Sequence, residues 1–162
     1  PNGMAFSPDA RRMYGSDSHP LSQQVWVYDF ERFSGTLGPR QPFVDMRGLP
    51  GRPDGAAVDE QGHYWVCGND AGQVHCFDAS GAWVRSLTVP FPKPAMCCFG
   101  GPDLATLFVT SIVPAVRDVA LSSDLSGSVI ALQPGVRGVP EPRFSRFPTM
   151  GEHPNTSPRG AG

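Results

Sequence analysis

The sequence has no apolar stretch long enough to span a bilayer, which argues against a membrane-spanning helix. It also lacks a sustained helical period, since its apolar residues alternate or gather in short runs. Lysine is almost missing: Lys93 stands alone beside twelve arginines, which reads as compositional bias rather than function. The 13 basic residues are scattered and the formal charge is −2, so there is no electrostatic footprint for nucleic acid. Several catalytic signatures are absent too: no Gly-x-Ser-x-Gly elbow, no His-Glu-x-x-His, no phosphate-cradling loop with Lys, and no EF-hand loop. The four cysteines, Cys67, Cys76, Cys97 and Cys98, show no CxxC spacing and lie in apolar runs, so they read as buried free thiols. Cys97 and Cys98 are neighbours on one strand and point to opposite faces, which discourages a redox pair. Such cysteine usage fits a reducing, cytoplasmic compartment.

What is present is turn chemistry. With 19 Gly and 18 Pro in 162 residues, between frequent apolar runs, the economical fold class is all-β. Pro1-Asn2-Gly3-Met4-Ala5-Phe6 and Pro53-Asp54-Gly55-Ala56-Ala57-Val58 place an oxygen donor between Pro and Gly in one register. Pro94-Ala95-Met96-Cys97-Cys98-Phe99 repeats the register with Ala95 in the donor position. Each start is followed by a turn and an apolar strand: Met13-Tyr14, then His63 to Val66, then Leu107 to Thr110. Third strands follow at Gln24 to Asp29, Gln73 to Asp78 and Ser128 to Gln133, and outer strands at Arg40 to Met46 and Trp83 to Val89. Units of roughly 40 to 50 residues match the period of four-stranded propeller blades.

Taken alone, Asn or Asp between Pro and Gly is ordinary turn chemistry; the matched register makes Asn2 and Asp54 candidate site residues. Asp29 and Asp78 recur after the third strands and read as structural caps. Asp17-Ser18-His19 and Asn69-Asp70 lie where the channel rim would be, yet their surroundings read as turns. The four histidines have no paired spacing, and His75 is expected to be packed or surface-exposed rather than a ligand. The segment from Val113 to Gly127 reads as a long loop between second and third strands. Beyond Phe144 the strand pattern stops, and residues 145–162 are expected to form a disordered tail.

The two donor motifs, with Ser7-Pro8-Asp9, Asp59-Glu60-Gln61-Gly62, Cys97-Cys98-Phe99-Gly100-Gly101-Pro102-Asp103, Leu107-Phe108-Val109-Thr110 and Pro134-Gly135-Val136-Arg137-Gly138, resemble in order and spacing the C-terminal half of the gluconolactonase family, which includes senescence marker protein or regucalcin. The resemblance covers residues 1–144. It implies a six-bladed β-propeller of which this chain supplies about three blades. The chain opens on Pro1 inside a repeat motif and is expected to be a fragment whose missing part lies upstream. The resemblance further implies one divalent cation in the channel, held by a Glu, an Asn and an Asp from different blades. Asn2 matches the family's metal-binding Asn; Asp54 matches its metal-binding Asp and proposed general base. The Glu, and the family's substrate-contacting Arg and Asn, have no counterpart in this chain. Gly15 departs from the family, where an apolar residue is usual.

An amide oxygen and a carboxylate are hard donors suited to Ca²⁺, and with some tolerance to Mg²⁺, Mn²⁺ or Zn²⁺. The resulting expectation is a divalent-metal-dependent hydrolase of small-molecule lactones of sugar acids, with Asn2 and Asp54 as metal ligands and Asp54 as base. Two alternatives stand beside it: a propeller that only binds calcium or a partner, and an inactive truncated fragment.

Overall fold

The computed structural model describes residues 1–114 and 125–142. The far part of the 113–127 loop and the 145–162 tail lie outside the described residues, as do His153 and the sequon-like Asn155-Thr156-Ser157. Among the described residues all regular structure is β, in three antiparallel sheets. The first contains β1 (Asn2–Phe6), β2 (Arg12–Asp17), β3 (Gln24–Glu31), a short β4 (Thr36–Leu37) on the end of β3, and β5 (Gln41–Asp45). The second runs in simple order through β6 (Arg52–Val58), β7 (Tyr64–Asn69), β8 (Gln73–Phe77) and β9 (Trp83–Thr88). The third contains β10 (Pro94–Gly100), β11 (Thr106–Ser111) and β12 (Val129–Leu132). Three blades are therefore present, the expected number. No helix long and apolar enough to cross a membrane occurs among the described residues.

The blades adhere through two apolar cores. One joins Ala5, Tyr14, Val25, Val44 and Met46 of the first blade to Ala56, Val58, Tyr64, Val66 and Phe77 of the second. The other joins Trp65, Cys67, Val74 and Cys76 of the second blade, with Val89 and Phe91 after it, to Cys97, Leu107 and Val109 of the third. β7 serves both. Successive strand residues point to opposite faces, so Tyr64 and Val66 enter one core while Trp65 and Cys67 enter the other. That explains why β7 is buried along its whole length. The exposed Arg47–Asp45 pair is confined to one bend and links no blades. Apolar burial between blades contributes about 1.5–3 kcal/mol per large side chain.

Several large apolar side chains of the first and third blades are left uncovered. Met4 and Phe6 stand exposed on the first blade, where Phe6 leans on Phe30 and Arg40 stacks over Trp26. Met96, Ile112 and Val129 stand exposed on the third blade. Gly15 lies in β2, and a side chain added there would meet nothing within 4 Å, so this departure from the family pattern leaves open space.

Three cysteines are buried as expected, but Cys98 is exposed, because it occupies the face of β10 opposite Cys97. Burial pushes the Cys76 thiol up to about 12, away from reactivity. His75 is packed, as anticipated: Nε2 donates to the Pro50 carbonyl at 2.8 Å, and Nδ1 accepts from Ser86 Oγ at 2.7 Å. Burial lowers its affinity for a proton. The unfolded chain thus takes up the proton first, and the stability His75 contributes, full above its unfolded pKa near 6.5, drains away as pH falls through its folded pKa. Thermal melts between pH 7.5 and 5 should show falling stability in the wild-type protein and a flatter profile in His75→Gln; equal slopes would exclude His75 as the titrating group.

Candidate active site

The inner strands of the three blades, β1, β6 and β10, lie side by side. Each loses register with its partner strand at the same repeat position: between Asn2 and Ala5, between Pro53 and Ala56, and between Pro94 and Met96. One extra residue is accommodated there, and such a bulge re-aims side chains at a sheet edge. The Pro-Asn-Gly and Pro-Asp-Gly motifs sit at these bulges, and their glycines permit close approach of neighbouring strands. A Cβ on Gly3, whose φ is +63°, would lie 2.4 Å from the Tyr64 hydroxyl; one on Gly55 would lie 2.6 Å from the Ala95 carbonyl. The Tyr64 hydroxyl donates to the Gly3 carbonyl at 2.7 Å, fastening the second blade to the strand that carries Asn2.

The bulges bring Asn2 and Asp54 to the same two adjoining cavities, of about 1000 and 360 Å³. Both donors are steadied by the residue at the end of the next strand or just past it. Asn2 Nδ2 donates to Ser18 Oγ at 2.7 Å, and Ser18 Oγ donates to the Pro53 carbonyl at 2.5 Å. Asn69 Nδ2 donates to Asp54 Oδ2 at 2.9 Å and to the Pro94 carbonyl at 3.3 Å. Ser18 and Asn69 are equivalent by register, because Met13 pairs with Phe6 as Tyr64 pairs with Val58. The third blade has Ile112 at that place, next to an inner strand whose donor position is Ala95. Donor and clamp are lost together in that repeat.

Burial raises the Asp54 pKa above the usual carboxylate value, opposed by the Asn69 hydrogen bond, the Arg52 charge and the Gly55 amide, and reinforced by Asp70. At the lip of the smaller cavity, Asp70 accepts from Arg52 Nε at 2.9 Å and Nη2 at 2.6 Å, and also from Lys93 Nζ. Asn69 and Asp70, read from sequence as turn residues, do form the β7–β8 turn, and each also grips a cavity residue. Lys93, read as compositional bias, is a partner in that ion cluster. The signal that could have revealed Ser18 and Asn69 was their common place at the ends of the second strands, at the same distance past Met13 and Tyr64.

The residues suit a hard divalent cation. The Asn2 amide nitrogen is engaged by Ser18, leaving its carbonyl oxygen as the donor, and Asp54 offers a carboxylate. Ser16, paired with Asn2 across β1 and β2, keeps a buried hydroxyl with no partner among the described residues. No group of three or more His, Cys, Asp and Glu able to hold a metal occurs among the described residues.

Residues 1–113 match the SMP-30/Gluconolactonase/LRE-like region. The chain belongs to that family. Within the SMP-30/gluconolactonase family it is similar to pentonolactonase XacC of Haloferax volcanii, at 33% identity over 87% of this chain and 50% of the relative. It is 38% identical to a 6-deoxy-6-sulfogluconolactonase of Pseudomonas putida, over 89% of this chain and 49% of that protein. Its fold matches the crystal structure of a calcium-binding protein, regucalcin, from Agrobacterium tumefaciens, with TM-score 0.81 and 28% identity over 89% of this chain and 49% of the other. The chain thus spans about half the length of the relatives it matches, and its three sheets are propeller blades that do not close on themselves.

Proposed function

We propose that this chain contributes to the active site of a divalent-cation-dependent hydrolase that opens sugar-acid lactones, with Asn2 and Asp54 as cation donors and Asp54 as the proton acceptor. The observation carrying this reading is the repeated construction: two hard oxygen donors on adjacent blades, at matching bulges, each clamped by the equivalent residue of the following strand. Family relatives named as lactonases support the reaction class.

When bound, the cation, Ca²⁺ first among Mg²⁺, Mn²⁺ and Zn²⁺, supplies Lewis acidity at the lactone carbonyl. Asp54 takes the proton of the water that attacks the carbonyl carbon; the ring C–O bond breaks, and the departing alkoxide recovers that proton from Asp54. Asn69 keeps Asp54 Oδ2 oriented for the proton transfer. Asn2, fixed by Ser18, presents an oxygen that does not titrate. The clamps themselves need no reorganisation during the reaction, which favours preorganised catalysis.

Hydrolysis of glucono-δ-lactone, followed with a pH indicator, tests the proposal. Chelator should abolish the activity and added divalent cation should restore it. A folded protein that binds Ca²⁺ but opens no lactone would instead fit a calcium-binding propeller.

A further inference from the structure

The smaller cavity has a charged lip that the proposed chemistry does not use. It is lined by the two candidate donors, by Ile112, Val113 and Pro114, and by Arg52 and Lys93. Asp70 ion-pairs with both, and the Asp54 carboxylate of the same cavity also feels the Arg52 charge. Both side chains remain partly exposed. Arg52 spends Nε and Nη2 on one oxygen of Asp70, and no hydrogen bond engages its Nη1 among the described residues. Lys93 has three N–H donors and directs one to Asp70.

The arrangement is built rather than casual. Asp70 adopts a positive φ of 77° in the turn after β7, and from there its two carboxylate oxygens reach a residue at the start of β6 and another just before β10. The neighbouring Asn69 grips Asp54, so one turn holds both a candidate donor and the Arg52–Lys93 pair. A guanidinium and an ammonium with unspent N–H donors, in the cavity that also holds the two candidate cation donors, can bind an anion on the same molecule.

Resting on the lactonase reading, we infer that Arg52 and Lys93 form an anion subsite, and that the preferred substrates are lactones carrying a second, negatively charged group such as a carboxylate, sulfonate or phosphate. Asp70 acts through the other two, holding both cations at the cavity edge and preventing either from collapsing onto Asp54.

Two measurements test this. In the first, kcat/KM is compared for D-glucaro-1,4-lactone, which bears a carboxylate, and neutral glucono-δ-lactone. The Arg52→Gln/Lys93→Gln protein should lose about tenfold or more of the wild-type preference for the charged lactone. Lys93→Arg, which keeps the charge, should retain that preference. An unchanged ratio in the double variant overturns the subsite. In the second, inorganic sulfate is titrated calorimetrically into chelator-treated protein, so the readout is independent of catalysis. Heat seen with wild type and lost in the double variant supports the subsite even if neither lactone is opened, in which case the lactonase reading alone fails. No sulfate binding by wild type overturns the subsite.

Discussion

Asp54→Asn should lower lactone hydrolysis by about three orders of magnitude at saturating cation, the scale associated with losing a positioned base. The substitution preserves size and leaves an oxygen to accept from Asn69, so the loss isolates charge and basicity from shape. Cation affinity, measured by calorimetry, should fall as well, since a neutral amide is a poorer ligand than a carboxylate. A variant that retains wild-type kcat once saturated with cation would remove Asp54 from the base role. Stability should move the other way. Folding raises the Asp54 pKa chiefly by burial, so the stability tied to its protonated form is full below the unfolded pKa and lost as pH rises through the folded one. In chelator at neutral pH, Asp54→Asn should therefore melt no lower than wild type, as expected of a site carboxylate kept for function.

Asp59→Ala should produce the largest loss of stability. The Asp59 carboxylate is fully buried and accepts from the Gln61 amide at 3.0 Å, the His63 amide at 2.9 Å, His63 Nδ1 at 3.0 Å and Trp65 Nε1 at 2.9 Å. Its backbone also bridges to Gly138, while the Glu60 amide donates to the Arg137 carbonyl, so the same turn anchors the chain returning after β12. Truncation leaves several buried donors unsatisfied, at about 1–3 kcal/mol each. We expect a total on the order of 3 kcal/mol, and a melting point lower by roughly 10 °C. The turn lies at the end of β6 remote from Asp54, so kcat at low temperature should change far less than melting. A shift under about 3 °C would show that other groups satisfy those donors.

The blade period and the donor positions were legible because they depend on short-range chemistry. Pro and Gly flank a polar residue at a fixed distance from an apolar strand, and the pattern recurs. The bulges were not legible, since an extra residue in β1 or β6 is defined only against its partner strand. For the same reason, Asn69-Asp70 and Asp17-Ser18-His19 looked like plain turns. Local sequence shows that Asn69 can turn the chain, but not that Asp54 waits across the strand pair. Arg52 and Lys93 are 41 positions apart and meet only through Asp70, which made Lys93 look like an accident of composition. Cys98 was misjudged because an apolar run around a cysteine does not reveal which strand face a neighbouring blade covers. The short β4 escaped notice because two residues carry no periodicity.

The double burial of β7 bears on how the protein comes apart. In stacked-repeat architectures each unit holds its neighbours through separate interfaces, and fraying can proceed from an end. Here one strand contributes alternate side chains to both interfaces, so loosening it removes Tyr64 and Val66 from one core and Trp65 and Cys67 from the other in a single event. The central blade links the fates of its two flanks, and opening at β7 is a global rather than a local excursion. The same strand leads directly into Asn69 and Asp70. The clamp on Asp54 and the tether of the Arg52–Lys93 pair are thereby carried by the most deeply buried of the described strands.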